Sequence, residues 1–203
     1  KTLSYITKEM TGEDGGFYSA QDADSEGEEG KYYVFSQKEI IELLGEEDGL
    51  TFCEFFDITE EGNFEGKNIP NLIKTKDYDP IPDAVRRRIP EVYGYRLSRT
   101  RLHKDDKILT SWNSLMIAAF AKAYKVLRDE KYLRHAEGAA AFLSETMTGK
   151  DGKLLISYRG GAASGTGNLD DYAFFIWALL ELYEATLDVG YLEQARKLCG
   201  LMQ

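Results

Sequence analysis

A mainly α fold of repeated helical hairpins, with small β-hairpins inserted between them, is what this sequence predicts. Three observations carry that expectation. The chain repeats itself at an offset of 59 residues, the first helix of each copy is apolar nearly all round, and a second repeat at an offset of 137 places an extended excursion after an outer helix.

The 203 residues include 43% hydrophobic side chains, with thirteen Tyr and ten Phe, enough for a packed core. A miniprotein stapled by disulfides is excluded. With 25 Lys and Arg against 35 Asp and Glu the net charge is −10, which argues against a nucleic-acid binder with its basic face. Residues 1–66 hold 18 acids and four bases, whereas residues 67–203 hold 17 acids and 21 bases, so the two parts attract. Cys53 and Cys199 each lie in an apolar stretch and read as buried, reduced thiols. There is no CxxC and no His/Cys cluster, so no metal is expected. No apolar run reaches the ~18 residues of a membrane span, and no secretory signal is visible; no membrane partner and a cytoplasmic location are expected.

Lys1–Met10 reads as a helix with Leu3, Ile6 and Met10 on one side, the outer helix of a preceding repeat. The chain opens inside that helix and closes inside another without a stop signal. A single partial domain over 1–203, cut from a longer protein, is therefore expected. Gly16–Ala20 and Lys31–Phe35, on either side of an acidic loop, are expected to pair as a β-hairpin. Ser36-Gln37-Lys38-Glu39 is a capping box that opens a helix ending near Gly45. A short helix around Gly49–Phe56 and an extended stretch, Asp57–Lys74, follow. Pro70, Pro80, Pro82 and Pro90 break the next stretch, and Ala84–Leu97 is a helix bent or split at Pro90.

Ser114–Ala136 then aligns with Ala173–Ala195, Tyr124 falling on Tyr183, Asp129 on Asp188 and Tyr132 on Tyr191. Each copy is an apolar helix, a turn of a few residues and a second helix beginning Tyr-Leu, which makes an antiparallel hairpin. Leu115–Ala121 and Phe174–Leu180 are apolar without a break, so these inner helices are expected to be buried on all sides. The amphipathic Tyr132–Met147 and Tyr191–Gln203 lie outside them. Met10–Gly15 aligns with Met147–Gly152, and Lys153–Tyr158 with the Gly-rich 160–167 stretch is expected to form a second inserted β-hairpin.

If inner helices run parallel, their N-termini gather at one mouth, where unpaired N–H groups favour anions and acceptor oxygens. Three segments are expected to meet there. Arg101–Asn113 packs acids, bases, an amide and Trp112 into one helix entrance; a Trp face beside Asn and Asp suits a sugar, and Thr110 or Ser111 as cap with Trp112 in the core is the plainer reading. Gly167–Tyr172 carries adjacent Asp170 and Asp171, one acid more than a helix cap requires, and such a pair can yield a proton donor. Gly15–Gly30 holds Asp22, Asp24, Glu26, Glu28 and Glu29; it imitates half a calcium loop, but Tyr33 stands where the bidentate Glu belongs. Arg86-Arg87-Arg88 with Arg96, Arg99 and Arg101 is a solvated helix face, or a site for phosphate or for the acidic part of the chain. No GxSxG, P-loop or GxGxxG occurs, and no cofactor is expected.

Gly15-Gly16-Phe17-Tyr18-Ser19-Ala20 with Asp22-Ala23-Asp24-Ser25, Asp105-Asp106-Lys107-Ile108-Leu109-Thr110-Ser111-Trp112-Asn113, and Leu169-Asp170-Asp171-Tyr172-Ala173-Phe174-Phe175 together resemble the spermatogenesis-associated, YyaL-like family. The resemblance implies an (α/α)6 toroid of the six-hairpin-glycosidase, N-acylglucosamine 2-epimerase-like kind. This chain would be its middle slice, and a thioredoxin-like domain of the same protein a partner. Ser114 departs from a Gly usual in the family, which would narrow the mouth, and Pro90 interrupts a helix usually continuous. By fold analogy the resemblance implies a carbohydrate-active domain, epimerase- or glycosidase-like. Asp171, Asp106, Asp22 and Asp24 then compete for acid/base roles, Trp112 and Tyr172 stack on the sugar, Asn113 and Lys107 bind hydroxyls, and His103 is the candidate histidine. A non-catalytic module attached to the redox domain and a metal site in the 22–29 loop are the alternatives. All of it requires that Trp112 and Tyr172 open parallel helices on a shared rim.

Overall fold

Among the described residues, 1–75 and 81–202 of the computed structural model, the elements in chain order are α1 (Thr2–Glu9), β1 (Ala20–Gln21), β2 (Asp24–Ser25), β3 (Glu28–Glu29), α2 (Gln37–Leu44), α3 (Glu46–Phe55), α4 (Asp83–Arg99), β4 (Lys104–Asp105), β5 (Ile108–Leu109), α5 (Thr110–Leu127), α6 (Glu130–Thr146), β6 (Leu155–Arg159), β7 (Ala162–Thr166), α7 (Leu169–Thr186) and α8 (Val189–Met202). The expectations at Pro80 and Gln203 lie outside the described residues. The fold is mainly α, with helical-hairpin repeats and small antiparallel insertions, as the sequence predicts. Two compact units form: Lys1–Ala20 with Lys104–Gln203, and Gln21–His103.

In the first unit both hairpins turn in the same way. Arg128 and Leu187 end their helices in the left-handed region, at φ 56° and 61°, and their N–H groups bond to Tyr124 O and Tyr183 O. The next residue caps the returning helix: Asp129 Oδ1 accepts from Lys131 N–H at 3.1 Å and Asp188 Oδ1 from Gly190 N–H at 2.9 Å. Two residues thus close one helix and open the next, which forces α5/α6 and α7/α8 to be antiparallel.

The second repeat is equally literal. Thr11 Oγ1 bonds to Ile6 O and Thr148 Oγ1 to Leu143 O. Gly12 N–H bonds to Gly16 O and Gly149 N–H to Lys153 O, both at 2.8 Å. Thr11 bridges Phe17 as Thr148 bridges Leu154. Every pair is related by 137 residues.

α5 and α7 lie side by side and parallel. Near their starts Ser111 N–H reaches Asp171; toward their ends Lys122 and Lys125 reach Glu181, and Lys125 reaches Glu184. An antiparallel pair would join starts to ends. Their shared core includes Ile117, Phe120, Leu143, Phe175, Leu179 and Leu182, all buried, and Leu3 and Ile6 of α1 pack against it. Ala136, Ala139 and Ala140 let α6 approach α5 closely. The inner helices are not buried all round, however. Trp112 and Leu115 on α5, and Trp177 and Leu180 on α7, are exposed. β5, β6 and β7 form one antiparallel sheet, with Leu109 opposite Ser157 and Ser157 opposite Ser164.

In the second unit, the Ser36–Glu39 capping box opens α2 as expected. Phe35, Ile40, Phe52, Val85 and Val92 pack in a core of their own. α4 runs unbroken through Pro90. Proline removes one N–H, and the Arg86 carbonyl it leaves free belongs to an exposed residue that water can serve. Lys31–Phe35 is not a strand: β2 pairs with β3 across Asp24–Glu29 and Ser25–Glu28 instead, and Phe35 bridges Asn68. Cys53 is buried, but Cys199 is exposed on α8, contrary to expectation; the buried residues of that helix are Ala195 and Leu198.

Candidate functional site

The parallel starts of α5 and α7 are held together by one carboxylate. α5 has no side-chain cap of its own. Asp171 Oδ1 accepts from Ser111 N–H at 3.0 Å, and its Oδ2 accepts from Asn168 N–H at 2.8 Å in the capping box of α7. Asp171 therefore satisfies orphan donors on two helices at once. It is 2% exposed. Burial pushes its carboxyl above the usual range, opposed by those backbone donors.

Asn113 and Tyr172 stand 59 residues apart, at equivalent positions of the repeat, and both are buried. Asn113 Oδ1 accepts from Phe17 N–H at 2.7 Å, while its amide donates to Phe17 O and Leu109 O. Tyr172 Oη accepts from Leu154 N–H at 3.1 Å. Phe17 and Leu154 are themselves equivalent at the 137-residue offset. In each copy, then, a first-turn side chain of the inner helix staples the extended segment that follows an outer helix. Asn113 has no donor left for a ligand hydroxyl, and the Tyr172 ring is not on the surface, so the roles expected for these two residues give way to structural ones.

Trp112 differs: it is 56% exposed on the first turn of α5, where a core position was one reading. Asp170 is exposed on the first turn of α7. Asp106 is exposed and pairs with Arg159 at 2.6 Å. Lys107 pairs with Asp105 at 3.1 Å, and Ser19 donates to Asp105 O. Ser114 is buried, its hydroxyl donating to Thr110 O at 2.7 Å, so it does not narrow the rim.

Asp22, Asp24 and His103 belong to the other unit. All three are exposed; Asp22 Oδ1 accepts from Asp24 N–H, and Asp22 N–H donates to His103 O. Glu26 is bound to Lys31 and Glu28 to Lys67. Among the described residues no group of three or more His, Cys, Asp or Glu side chains gathers as a metal would need. His135 is half-buried against Phe120, and burial, with Arg134, lowers its pKa.

Sequence reading missed a polar cluster on the sides of the inner helices. Glu181 is 6% exposed and accepts from Lys122 at 2.7 Å, Trp177 Nε1 at 2.9 Å and Lys125 at 2.8 Å. Burial alone would raise its pKa; the two lysines and the indole outweigh it and hold the carboxyl below the usual range. The signal was present: at the 59-residue offset Lys122 falls on Glu181 and Lys125 on Glu184, so parallel copies carry opposite charges at the same height along their axes.

Fold and site together define an α/α-hairpin repeat protein with an exposed tryptophan at the mouth of its inner helices. The chain is homologous over 97% of its length to spermatogenesis-associated protein 20 of Mus musculus, at 30% identity, and to that of Homo sapiens, at 28%. It spans about 30% of those relatives' length. The resemblance carried by the three motifs is thereby shown. No family model matches the chain. Among solved structures it is similar to cellobiose 2-epimerase from Bacillus thermoamylovorans B4167, at a TM-score of 0.46 and 28% identity, over 50% of this chain and 27% of that one. At that score the chain's function rests on its own geometry. No described helix is long and apolar enough to cross a membrane.

Proposed function

We propose that the hairpin unit is part of an (α/α)6 toroid that holds a sugar-like ligand at the N-terminal mouth of its inner helices, within a carbohydrate-active protein. One observation carries this reading: Trp112 stands exposed on the first turn of α5, beside the start of a parallel helix that bears the exposed Asp170. An indole covers the C–H face of a pyranose, and a carboxylate and first-turn N–H groups take its hydroxyls. Asp106 and Asp170 are the accessible acids of this rim; Asp171 positions both helices.

A second reading, a non-catalytic binding module joined to a thioredoxin-like domain, is favoured by a specific observation. Asp171, Asn113 and Tyr172 all spend their polar atoms on backbone. Unpaired thiols fit a reducing, cytoplasmic setting for either reading.

Saturation-transfer NMR with a panel of mono- and disaccharides tests the proposal. Transfer to one face of a sugar, abolished in Trp112→Ala and retained in Trp177→Phe, is expected. Equal transfer in wild type and Trp112→Ala, or no transfer to any sugar, refutes it. Turnover of a sugar that binds at Trp112 would decide for the enzyme over the module.

A further inference from the structure

The second unit contains a cation that no carboxylate among the described residues neutralises. Arg96, on α4, lies with its guanidinium carbon 4.9 Å from the Tyr32 ring centre, 5.1 Å from Tyr93 and 5.9 Å from Tyr33. Its Nε is buried and has no hydrogen-bond partner. Among the described residues no carboxylate pairs with it, although its neighbours on α4 find theirs: Arg88 binds Asp48 and Glu91, and Arg99 binds Glu39. Tyrosine faces attract a guanidinium but supply no acceptor for its N–H groups.

Arg96 also lines an open groove of about 210 Å³ whose other walls are mainly apolar: Phe35, Phe52, Phe56, Ile89 and Val92, with Tyr93 beside Arg96 and Pro70 closing it. A fixed positive charge at the side of a greasy slot selects an amphiphilic anion. The carboxylate takes the free guanidinium donors in a forked pair, and the tail displaces water from the phenylalanines. The groove is smaller than the roughly 300–1,000 Å³ of sites for drug-sized ligands, which limits the tail to a short chain or a single ring.

We propose that this groove is a binding site for a small apolar carboxylate, with Arg96 as its anion anchor and the Phe52–Phe56 wall as its tail contact. Neither the mouth at Trp112 nor any sugar is involved, so the site stands or falls independently of the function proposed above.

The test is titration of the 203-residue chain with octanoate, read by ¹⁵N shifts of the arginine Nε–H groups and by calorimetry. Octanol, which lacks the charge, and acetate, which lacks the tail, are the comparison ligands. Saturable binding of octanoate is expected, with a shift of the Arg96 Nε–H signal and at least tenfold weaker binding of both comparison ligands. Arg96→Met should weaken octanoate at least tenfold, and Arg96→Lys, which keeps the charge but not the fork, by less. Octanoate that does not saturate, octanol that binds equally well, or a folded Arg96→Met variant that binds octanoate like wild type would each overturn the proposal. Should circular dichroism show Arg96→Met unfolded, the three ligands on the wild-type chain decide.

Discussion

Asp171 offers the sharpest test of whether the mouth is built or merely lined. Replacing it with Ala removes the acceptor for Ser111 N–H and for Asn168 N–H together. Hydrogen bonds to a charged group are worth ~1.5–3 kcal/mol each, less what is regained by no longer burying the carboxylate, so a net loss of ~2–4 kcal/mol is expected. For a chain of this size that is a fall in Tm of ~4–16 °C, at ~2–4 °C per kcal/mol. Asp171→Asn keeps the shape but one acceptor only, and should lose ~1–3 kcal/mol. Because burial raises the folded-state pKa above the ordinary 3.8, the cost of the charged form is present above that raised value and is relieved as the pH falls through it. Wild type should therefore gain on Asp171→Ala as the pH drops toward 3.8. Urea unfolding followed by circular dichroism gives the stabilities, and hydrogen exchange at the Ser111 amide reports the cap directly. A variant as stable as wild type, or more so, would refute the argument, since that is how a strained carboxylate kept for chemistry behaves.

Glu181→Gln should cost ~1–2 kcal/mol at neutral pH, discounted for the partial exposure of both lysines. Its carboxyl sits below the ordinary 4.5, so the benefit is present above that value and lost as the pH falls through the depressed one; urea midpoints of wild type and variant should converge under acid. Under native conditions a thiol reagent should modify Cys199 quickly and Cys53 only on unfolding, because burial pushes the Cys53 thiol up to about 11; mass spectrometry of timed samples checks it. Ser114→Gly should cost ~0.5 kcal/mol in helix propensity and leave any ligand affinity at Trp112 unchanged, measured by thermal melts and by the same saturation-transfer signals.

The repeat made much of this legible, because an offset is a statement about geometry. At that offset Lys122 falls on Glu181 and Asn113 on Tyr172, correspondences the sequence reading did not use, and parallel packing makes the first pair an ion pair and the second matched staples. Side-chain type did not reveal which polar groups would be spent on backbone. Asn113 and Trp112 are neighbours in one motif, yet a turn of 100° between consecutive helix residues sends one into the core and the other to the surface. The least legible feature was the exposed side of each inner helix. Leu115 lies exposed on α5 at the position equivalent to Phe174, on the side from which Asp171 and Glu181 of α7 reach α5. Ala173 and Leu180 lie exposed on α7 at positions equivalent to Ser114 and Ala121, on the side from which Lys125 of α5 reaches α7. The open apolar positions are therefore the repeat equivalents of positions on the two sides that join α5 to α7. An apolar run in a repeat specifies a mating surface, and hydropathy cannot distinguish a surface that has met its counterpart from one that has not.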